Sequence, residues 1–125
     1  MQYLLDTHIL LWWLMTPEKL RAKAQRIISD KNNDIFISSA SFWEMAIKQG
    51  IGRISLPHNL MEATAAEGFK LLPILPEECL GVADLPLIHS DPFDRLLVIQ
   101  AKFHNLVIIT RDAMIPEYPV ITLDA

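Results

Sequence analysis

Three features are missing from the sequence: a second cysteine, a long apolar run and a secretory signal pattern. The single Cys79 cannot form an internal disulfide, which suits a reducing cytosol, and we expect it to be a small buried apolar residue on a helix. The longest uninterrupted apolar run, Ile9 to Met15, is far shorter than the roughly 20 residues that span a bilayer. No basic segment followed by an apolar stretch and a cleavage site opens the sequence. We therefore expect a cytoplasmic protein.

An excess of positive charge is missing as well. The sequence has 11 lysines and arginines against 15 aspartates and glutamates, which gives a formal net charge of −4. Proteins that bind nucleic-acid duplexes over a broad surface are usually basic, so binding of that kind is disfavoured. The negative total remains compatible with nucleic-acid chemistry if the acidic side chains gather in one metal-binding pocket and the basic ones surround it.

Hydrophobic residues make up 51% of the 125 residues and charged residues 21%, a composition typical of a folded domain with a sizeable core. The strands predicted from short apolar segments are Gln2–Leu5, Ile35–Ile37, Lys70–Leu72, Leu106–Ile109 and Val120–Thr122. The helices predicted between them are Ile9–Leu14, Glu18–Ser29, Phe42–Lys48, Pro57–Glu67, Pro76–Ala83 and Pro92–His104. Apolar strands that alternate with helices favour an α/β fold, here a three-layer α/β/α sandwich with a central, mostly parallel sheet. We expect residues 1–125 to form a single domain.

The segment Asp91-Pro92-Phe93-Asp94-Arg95 has the composition of a helix start. Asp91 can accept hydrogen bonds from the free N–H groups of the first turn. Pro92 suits the first helical position, and Asp94 lies in the first turn, where the helix dipole favours an anion. Capping accounts for the segment by itself. Whether Asp94 does more depends on which other acidic residues the fold brings beside it.

Four acidic residues lie near the ends of predicted strands or the starts of predicted helices. Asp6 directly follows the first strand, and Asp112 follows the strand Leu106–Ile109 after two residues. Glu44 lies early in the helix after the second strand, and Asp94 begins the helix that leads back to Leu106–Ile109. Because helices in a parallel sheet start at its carboxyl edge, where ligands bind, we expect all four side chains to share one site.

A divalent cation is the simplest reason for gathering carboxylates, which otherwise repel one another and take up protons. Mg²⁺ and Mn²⁺ prefer oxygen ligands, whereas the four histidines show no zinc-ligand spacing. A cation held by Asp6, Glu44, Asp94 and Asp112 would activate water and neutralise charge on a phosphoryl group. The chemistry implied is phosphodiester hydrolysis with one or two cations.

Each acidic residue also has a purely structural interpretation. Asp6 could cap the first helix, Ser41 and Glu44 could form a capping box, and Asp112 could close a turn. Asp91 is more readily a helix cap than a ligand, so we rank it below the other four. For a single acidic residue, such a structural role is commoner than metal binding. Only the expected meeting of the four acids at the carboxyl edge of the sheet favours a metal site.

Other side chains near these acids could take part in the site. Thr7 and Thr110 could orient the carboxylates. Five basic residues could contact the substrate or a partner: His8, Lys48, His89, Arg95 and Arg111. The three tryptophans are expected in the core or in an interface rather than in stacking against bases.

Two other classes of function remain open. An aspartate-dependent phosphatase or a phospho-accepting receiver would also be α/β with an acid after the first strand. The phosphatase type requires a second aspartate where His8 stands, and a receiver requires a lysine where the sequence has Thr110-Arg111-Asp112. A non-catalytic binding module, in which the acids are only caps, would act through protein contacts.

These residues closely resemble the PIN-domain ribonucleases, and among them the VapC toxins of bacterial toxin–antitoxin modules. The resemblance covers nearly the whole chain through Asp6-Thr7-His8, Leu10–Trp13, Ser41–Glu44, Leu85–Leu87, His89–Leu97, Gln100-Ala101 and Thr110–Asp112. The run Asp91-Pro92-Phe93-Asp94-Arg95 is highly specific to this branch. The departures, Val98-Ile99 before Gln100 and Met114-Ile115 in place of an aromatic residue, concern loop packing and not the acids.

The resemblance implies an endoribonuclease that depends on Mg²⁺ or Mn²⁺, with Asp6, Glu44, Asp94 and Asp112 as its catalytic and metal-binding residues. It also implies a homodimer, and inhibition by a small cognate antitoxin that inserts a segment near the active site. Single-stranded loops are the expected RNA targets, because the acidic chain offers no long basic track and unstacked bases are easier to reach.

Overall fold

The computed structural model describes residues 1–125, and its centre is one sheet of five parallel strands. The strands are β1 (Gln2–Leu5), β2 (Asp34–Ser38), β3 (Lys70–Leu72), β4 (Val107–Thr110) and β5 (Thr122–Asp124). The helices are α1 (Thr7–Met15), α2 (Ala22–Ser29), α3 (Ser39–Gly50), α4 (Leu60–Ala66), α5 (Pro76–Gly81) and α6 (Pro92–His104). The strand order is β3-β2-β1-β4-β5, and every pair is parallel, so the α/β fold expected from the sequence is confirmed.

The strands are apolar throughout because both faces of the sheet are covered. Successive residues of a strand point to opposite faces. Leu4 and Ile108 are buried in a cluster that also contains Leu97 of α6. Leu5 and Ile109, one position later in their strands, are buried in a second cluster on the other face. The two clusters form the two interfaces of a three-layer sandwich.

Two predicted helices begin later than expected. The predicted helix Glu18–Ser29 is divided into a 3₁₀ turn at Pro17–Lys19 and helix α2. Leu20 and Arg21 between them are extended, because the Leu20 side chain is buried and the Arg21 N–H donates to the Ala125 carbonyl instead of a helical partner. In the same way, α4 begins at Leu60, three residues after Pro57.

The last strand also lies later than predicted. β5 spans Thr122–Asp124 rather than Val120–Thr122. A tight turn, in which the Val120 N–H donates to the Tyr118 carbonyl, occupies the segment just before it. The predicted apolar residues therefore lead into the strand instead of forming it.

The prediction for Cys79 is wrong, because its side chain is exposed. The residue of α5 that faces the interior is its neighbour Glu78, which is fully buried. Glu78 accepts hydrogen bonds from the Leu75 N–H and from Gln100 Nε2, and its second oxygen lies 2.6 Å from His104 Nε2. These partners replace the water that a buried carboxylate loses.

The topology places a crevice at the carboxyl ends of the two central strands. β1 pairs with β2 on one side and with β4 on the other, and Leu5 is in register with Ile109. Ligands of open parallel sheets bind where the chain connections leave the sheet in opposite directions, which here is between β1 and β4. None of the helices is both long and apolar enough to cross a membrane.

Candidate metal centre

A cavity of about 430 Å³ opens at this crevice and collects the predicted acidic residues. Its lining includes five carboxylates: Asp6, Glu44, Asp91, Asp94 and Asp112. The structure therefore brings together the four acids that were expected to share a site, with Asp91 beside them.

Asp6 contributes its carboxylate from the end of β1. It stands at the N-cap position of α1, but its side chain makes no capping hydrogen bond, so the capping interpretation is wrong. Its Oδ2 atom instead accepts a hydrogen bond of 2.8 Å from Thr110 Oγ1 at the end of β4. Thr110 Oγ1 in turn accepts from the Asp112 N–H at 2.9 Å. One hydroxyl group thus links two of the acids across neighbouring strands.

Glu44 lies in the second turn of α3 and is buried. The helix begins earlier than predicted, with Ser38 as its N-cap, so the capping box of Ser41 and Glu44 is wrong. Thr7 Oγ1 donates to one Glu44 oxygen and Lys48 Nζ to the other, each at 2.7 Å. Because each carboxylate oxygen has two lone pairs, these donors orient Glu44 and leave it able to bind a cation.

Asp91 is the cap of α6, as expected. Its Oδ1 atom accepts hydrogen bonds from the N–H groups of Phe93 at 2.8 Å and Asp94 at 3.3 Å. The cap fixes where the helix begins. Asp94 consequently lies in the first turn, with its Oδ2 atom 3.0 Å from Nε2 of His89.

Asp112 combines a structural role with a place in the cavity. Its Oδ2 atom accepts hydrogen bonds from the N–H groups of Met114 at 3.0 Å and Ile115 at 2.9 Å, so it does close a turn. The same atom lies 3.4 Å from His89 Nε2. Nε2 of His89 and one oxygen each of Asp94 and Asp112 all lie within 4.8 Å of one another.

The electrostatics of the cavity favour a bound cation. Burial, together with the nearby negative charges of Asp6, Asp91, Glu44 and Asp112, raises the pKa of Asp94 to about 8. Burial also raises the pKa of Asp6, although the Thr110 hydrogen bond opposes this shift. Carboxyl groups that resist ionisation together give up their protons when a divalent cation compensates their charge, so the donor set fits such an ion.

The predicted contact residues divide into two groups. His8, Lys48, His89 and Arg111 line the cavity. Arg95 does not, and the structure gives its side chain partners within the fold instead. It is nearly buried, and its guanidinium donates to the carbonyls of Pro86 and Val82 and to the Tyr118 hydroxyl. Its donors hold the loop before α6 in place.

Trp12 was not predicted to belong to the site, yet its side chain lines the cavity. The Arg111 guanidinium lies 4.6 Å from the centre of its ring, a cation–π arrangement, and the His8 ring lies 6.3 Å away. His8 and Trp12 are four residues apart on α1 and therefore share a face. That spacing is the signal that could have identified Trp12 from the sequence.

Comparisons with known proteins identify the family of the chain. The model of the PIN domain family matches residues 3–121. Ribonuclease VapC22 of Mycobacterium tuberculosis is 28% identical over 112 residues, which cover 87% of this chain and 85% of that protein.

Two solved structures have the same fold. One is VapBC2 from Rickettsia felis bound to a DNA fragment from its promoter (TM-score 0.68, 18% identity, 99% of this chain and 98% of the other). The other is FitAB bound to a DNA fragment (TM-score 0.68, 21% identity, 99% and 94%). Because the family model spans all but the first two and last four residues, the chain belongs to the PIN-domain family.

Proposed function

We propose that this protein is a metal-dependent endoribonuclease that hydrolyses RNA phosphodiester bonds, with Mg²⁺ or Mn²⁺ as its cofactor. The observation that carries the proposal is the convergence of five carboxylates in one cavity, where the pKa of Asp94 is raised to about 8. A folded protein keeps such an unfavourable cluster when a hard divalent cation is bound there. The curated relative named a ribonuclease supports the choice of RNA as substrate.

The side chains of the cavity have distinct proposed roles. Asp6, Glu44, Asp94 and Asp112 would hold the cation, and Asp91 would serve only as the cap. When bound, a divalent cation supplies activation of the attacking water and neutralisation of charge on the scissile phosphate. Thr110 and Thr7 keep the carboxylates oriented before the cation arrives, since each donates a hydrogen bond to one of them. In-line attack by water would leave a 5′-phosphate on the product.

The basic residues of the cavity would contact the RNA strand. Arg111 is exposed, and two main-chain carbonyls, those of Lys19 and Ala125, accept hydrogen bonds from its guanidinium. Stacking on Trp12 further restricts its orientation. A guanidinium fixed in this way is suited to bind a phosphate at little entropic cost. Lys48 and His8 would contact neighbouring parts of a single strand.

We further propose that the protein is the toxin of a toxin–antitoxin module, inhibited by a cognate antitoxin and active as a homodimer. The curated relative carries the name VapC, and the two similar structures are the complexes VapBC2 and FitAB. Helix α3 supports protein contacts, because it exposes Trp43 and Ile47, and Ile51, the residue just after the helix, continues the four-residue spacing. These side chains form an apolar stripe along one face of the helix.

Cleavage of a structured RNA with exposed loops tests the enzymatic proposal. We expect the wild-type protein to cleave with Mg²⁺ or Mn²⁺ and to stop when EDTA is added. Asp6→Asn and Asp94→Asn should each lower the rate at least about 100-fold, because each removes a charged ligand. Glu117→Gln is the matched control, since Glu117 is an exposed acid outside the cavity. Cleavage at the wild-type rate by either aspartate variant would contradict the proposal.

A further inference from the structure

His89 occupies an ambiguous position in the candidate metal centre. Its Nε2 atom is shielded from solvent and makes no well-aligned hydrogen bond, and it lies close to oxygens of both Asp94 and Asp112. Distance alone would make His89 a third ligand beside the two carboxylates. The hydrogen bond at the second ring nitrogen, Nδ1, determines whether His89 can be a ligand.

The second ring nitrogen of His89 already has a partner. The Asp91 N–H donates to Nδ1 at 3.2 Å, so Nδ1 must present a lone pair. A neutral imidazole with a lone pair at Nδ1 carries its proton on Nε2. Nε2 is then a donor, and a donor cannot coordinate a cation.

The position of the ring is also fixed from its main chain. The His89 N–H donates to the Tyr118 hydroxyl at 2.8 Å, and the same hydroxyl lies 3.2 Å from Nη1 of the nearly buried Arg95. If the proton were on Nδ1 instead, two N–H groups would face each other and the Asp91 N–H would lose its acceptor. This amide belongs to the cap of α6, so the alternative tautomer would disturb the helix start that places Asp94.

We propose that His89 is a positioning residue, not a metal ligand: its Nε2–H faces Asp94 and Asp112 and holds the two carboxylates in the arrangement that receives the cation. The proposal rests on the proposed metal-dependent function. Nε2 lies 3.0 Å from Asp94 Oδ2 and 3.4 Å from Asp112 Oδ2, so one proton can serve both acids. The opposite oxygens of the two carboxylates are left for the ion. Outer partners of this kind orient metal ligands in many sites.

Nitrogen NMR of the imidazole ring tests the tautomer directly. Protein labelled with ¹⁵N at histidine is measured first with EDTA and then with Mg²⁺ added. For His89, we expect the shifts of a protonated Nε2 and an unprotonated Nδ1 in both conditions. A proton on Nδ1, or loss of the Nε2 proton when Mg²⁺ binds, would overturn the proposal. The measurement on the EDTA-treated protein does not depend on nuclease activity.

Two substitutions test the positioning role. A glutamine amide places an N–H near the position of Nε2, whereas an asparagine amide is shorter and reaches only the position of Nδ1. Mg²⁺ affinity, measured by calorimetry, should fall about 10- to 100-fold in His89→Asn and stay within about threefold of wild type in His89→Gln. His58→Gln, at an exposed histidine outside the cavity, is the control.

The outcomes separate this proposal from the proposed function. If both His89 variants lose affinity equally, or neither does, His89 does not act through a donor at Nε2. If the wild-type protein neither binds Mg²⁺ nor cleaves RNA, the proposed function fails, and the positioning role fails with it. A wild-type protein that binds Mg²⁺ and cleaves RNA, but shows Nε2 without a proton, would overturn only the role given to His89.

Discussion

The carboxyl group of Asp94 is protonated at neutral pH as long as no cation is bound, because burial and neighbouring carboxylates raise its pKa to about 8. In the unfolded chain the same group ionises near its ordinary value of 3.8. Above that pH the unfolded state therefore gains stability relative to the folded one. The contribution of Asp94 to stability is complete below pH 4 and is lost as the pH rises through 8.

This linkage predicts that the stability of Asp94→Asn increases relative to the wild type as the pH rises. In EDTA, the melting temperature of the variant minus that of the wild type should increase between pH 5 and pH 9, because asparagine cannot ionise. Thermal unfolding followed by circular dichroism at intervals of one pH unit measures it. Glu117→Gln should show a difference that does not change with pH. A difference for Asp94→Asn that is equally constant would mean that its pKa is not raised.

The residues that could be predicted from the sequence are those whose place follows from chain direction. Asp6 and Asp112 follow strands, and helices in a parallel sheet start at the same edge, so their meeting with Glu44 and Asp94 was predictable. The function of Arg95 was not. Whether an arginine donates to carbonyls or to a ligand depends on the path of the loop before α6, and the local sequence does not determine that path.

Helix α6 connects a capping interaction to the chemistry of the cavity. Asp91 determines where the helix begins, and the helix start determines where the Asp94 carboxylate lies. Serine also caps helices but carries no charge. Substitution of Asp91 can therefore separate the cap from any direct part in binding a cation.

We predict different effects for two Asp91 variants. Asp91→Ala should lower the free energy of unfolding by about 1 kcal/mol, because the N–H groups of Phe93 and Asp94 lose their acceptor, and should reduce RNA cleavage. Asp91→Ser should retain most of the wild-type stability and most of the wild-type cleavage rate. Chemical denaturation and the cleavage assay give the two quantities. A serine variant that is stable but as slow as Asp94→Asn would show that Asp91 binds the cation itself.

The predicted elements are correct in kind, and their boundaries differ where tertiary contacts intervene. α6 was predicted from Pro92 to His104 and has those bounds, because its cap and first proline act locally. β5 was misplaced because its register against β4, which places Thr122 opposite Ile108, selects which residues become the strand. Glu78 was missed as a core residue for a similar reason, since its partners Gln100 and His104 belong to α6.

At the scale of the whole molecule, the strand order decides which interpretation of the acids holds. The alternation of strands and helices predicts a parallel sheet, but it does not predict that β1 lies between β2 and β4. This order brings the ends of β1 and β4 side by side and gives one cavity instead of several separate caps. The family match and the shared cavity leave the phosphatase, the receiver and the non-catalytic binding module without support.

A shared cavity also predicts that the whole fold is stabilised by its ion. Mn²⁺ at about 100 times its dissociation constant should add roughly 2.7 kcal/mol, which corresponds to a rise in melting temperature on the order of 10 °C. Thermal unfolding with and without Mn²⁺ measures the shift. The double variant Asp6→Asn with Asp94→Asn should show almost none. If it gained as much as the wild type, the ion would be bound elsewhere.

The hydrogen bond between Thr110 and Asp6 joins residues 104 positions apart in the sequence. During synthesis, Asp6 and Glu44 leave the ribosome long before Asp94 and Asp112, and domains fold as their parts emerge. A nascent chain that has not yet released residue 112 lacks one quarter of the acidic quartet and the β4 partner that orients Asp6. The pairing of β1 with β4 thus delays completion of the acidic quartet until residue 112 is outside the tunnel. A translation product that ends before residue 112 should accordingly show no RNA cleavage.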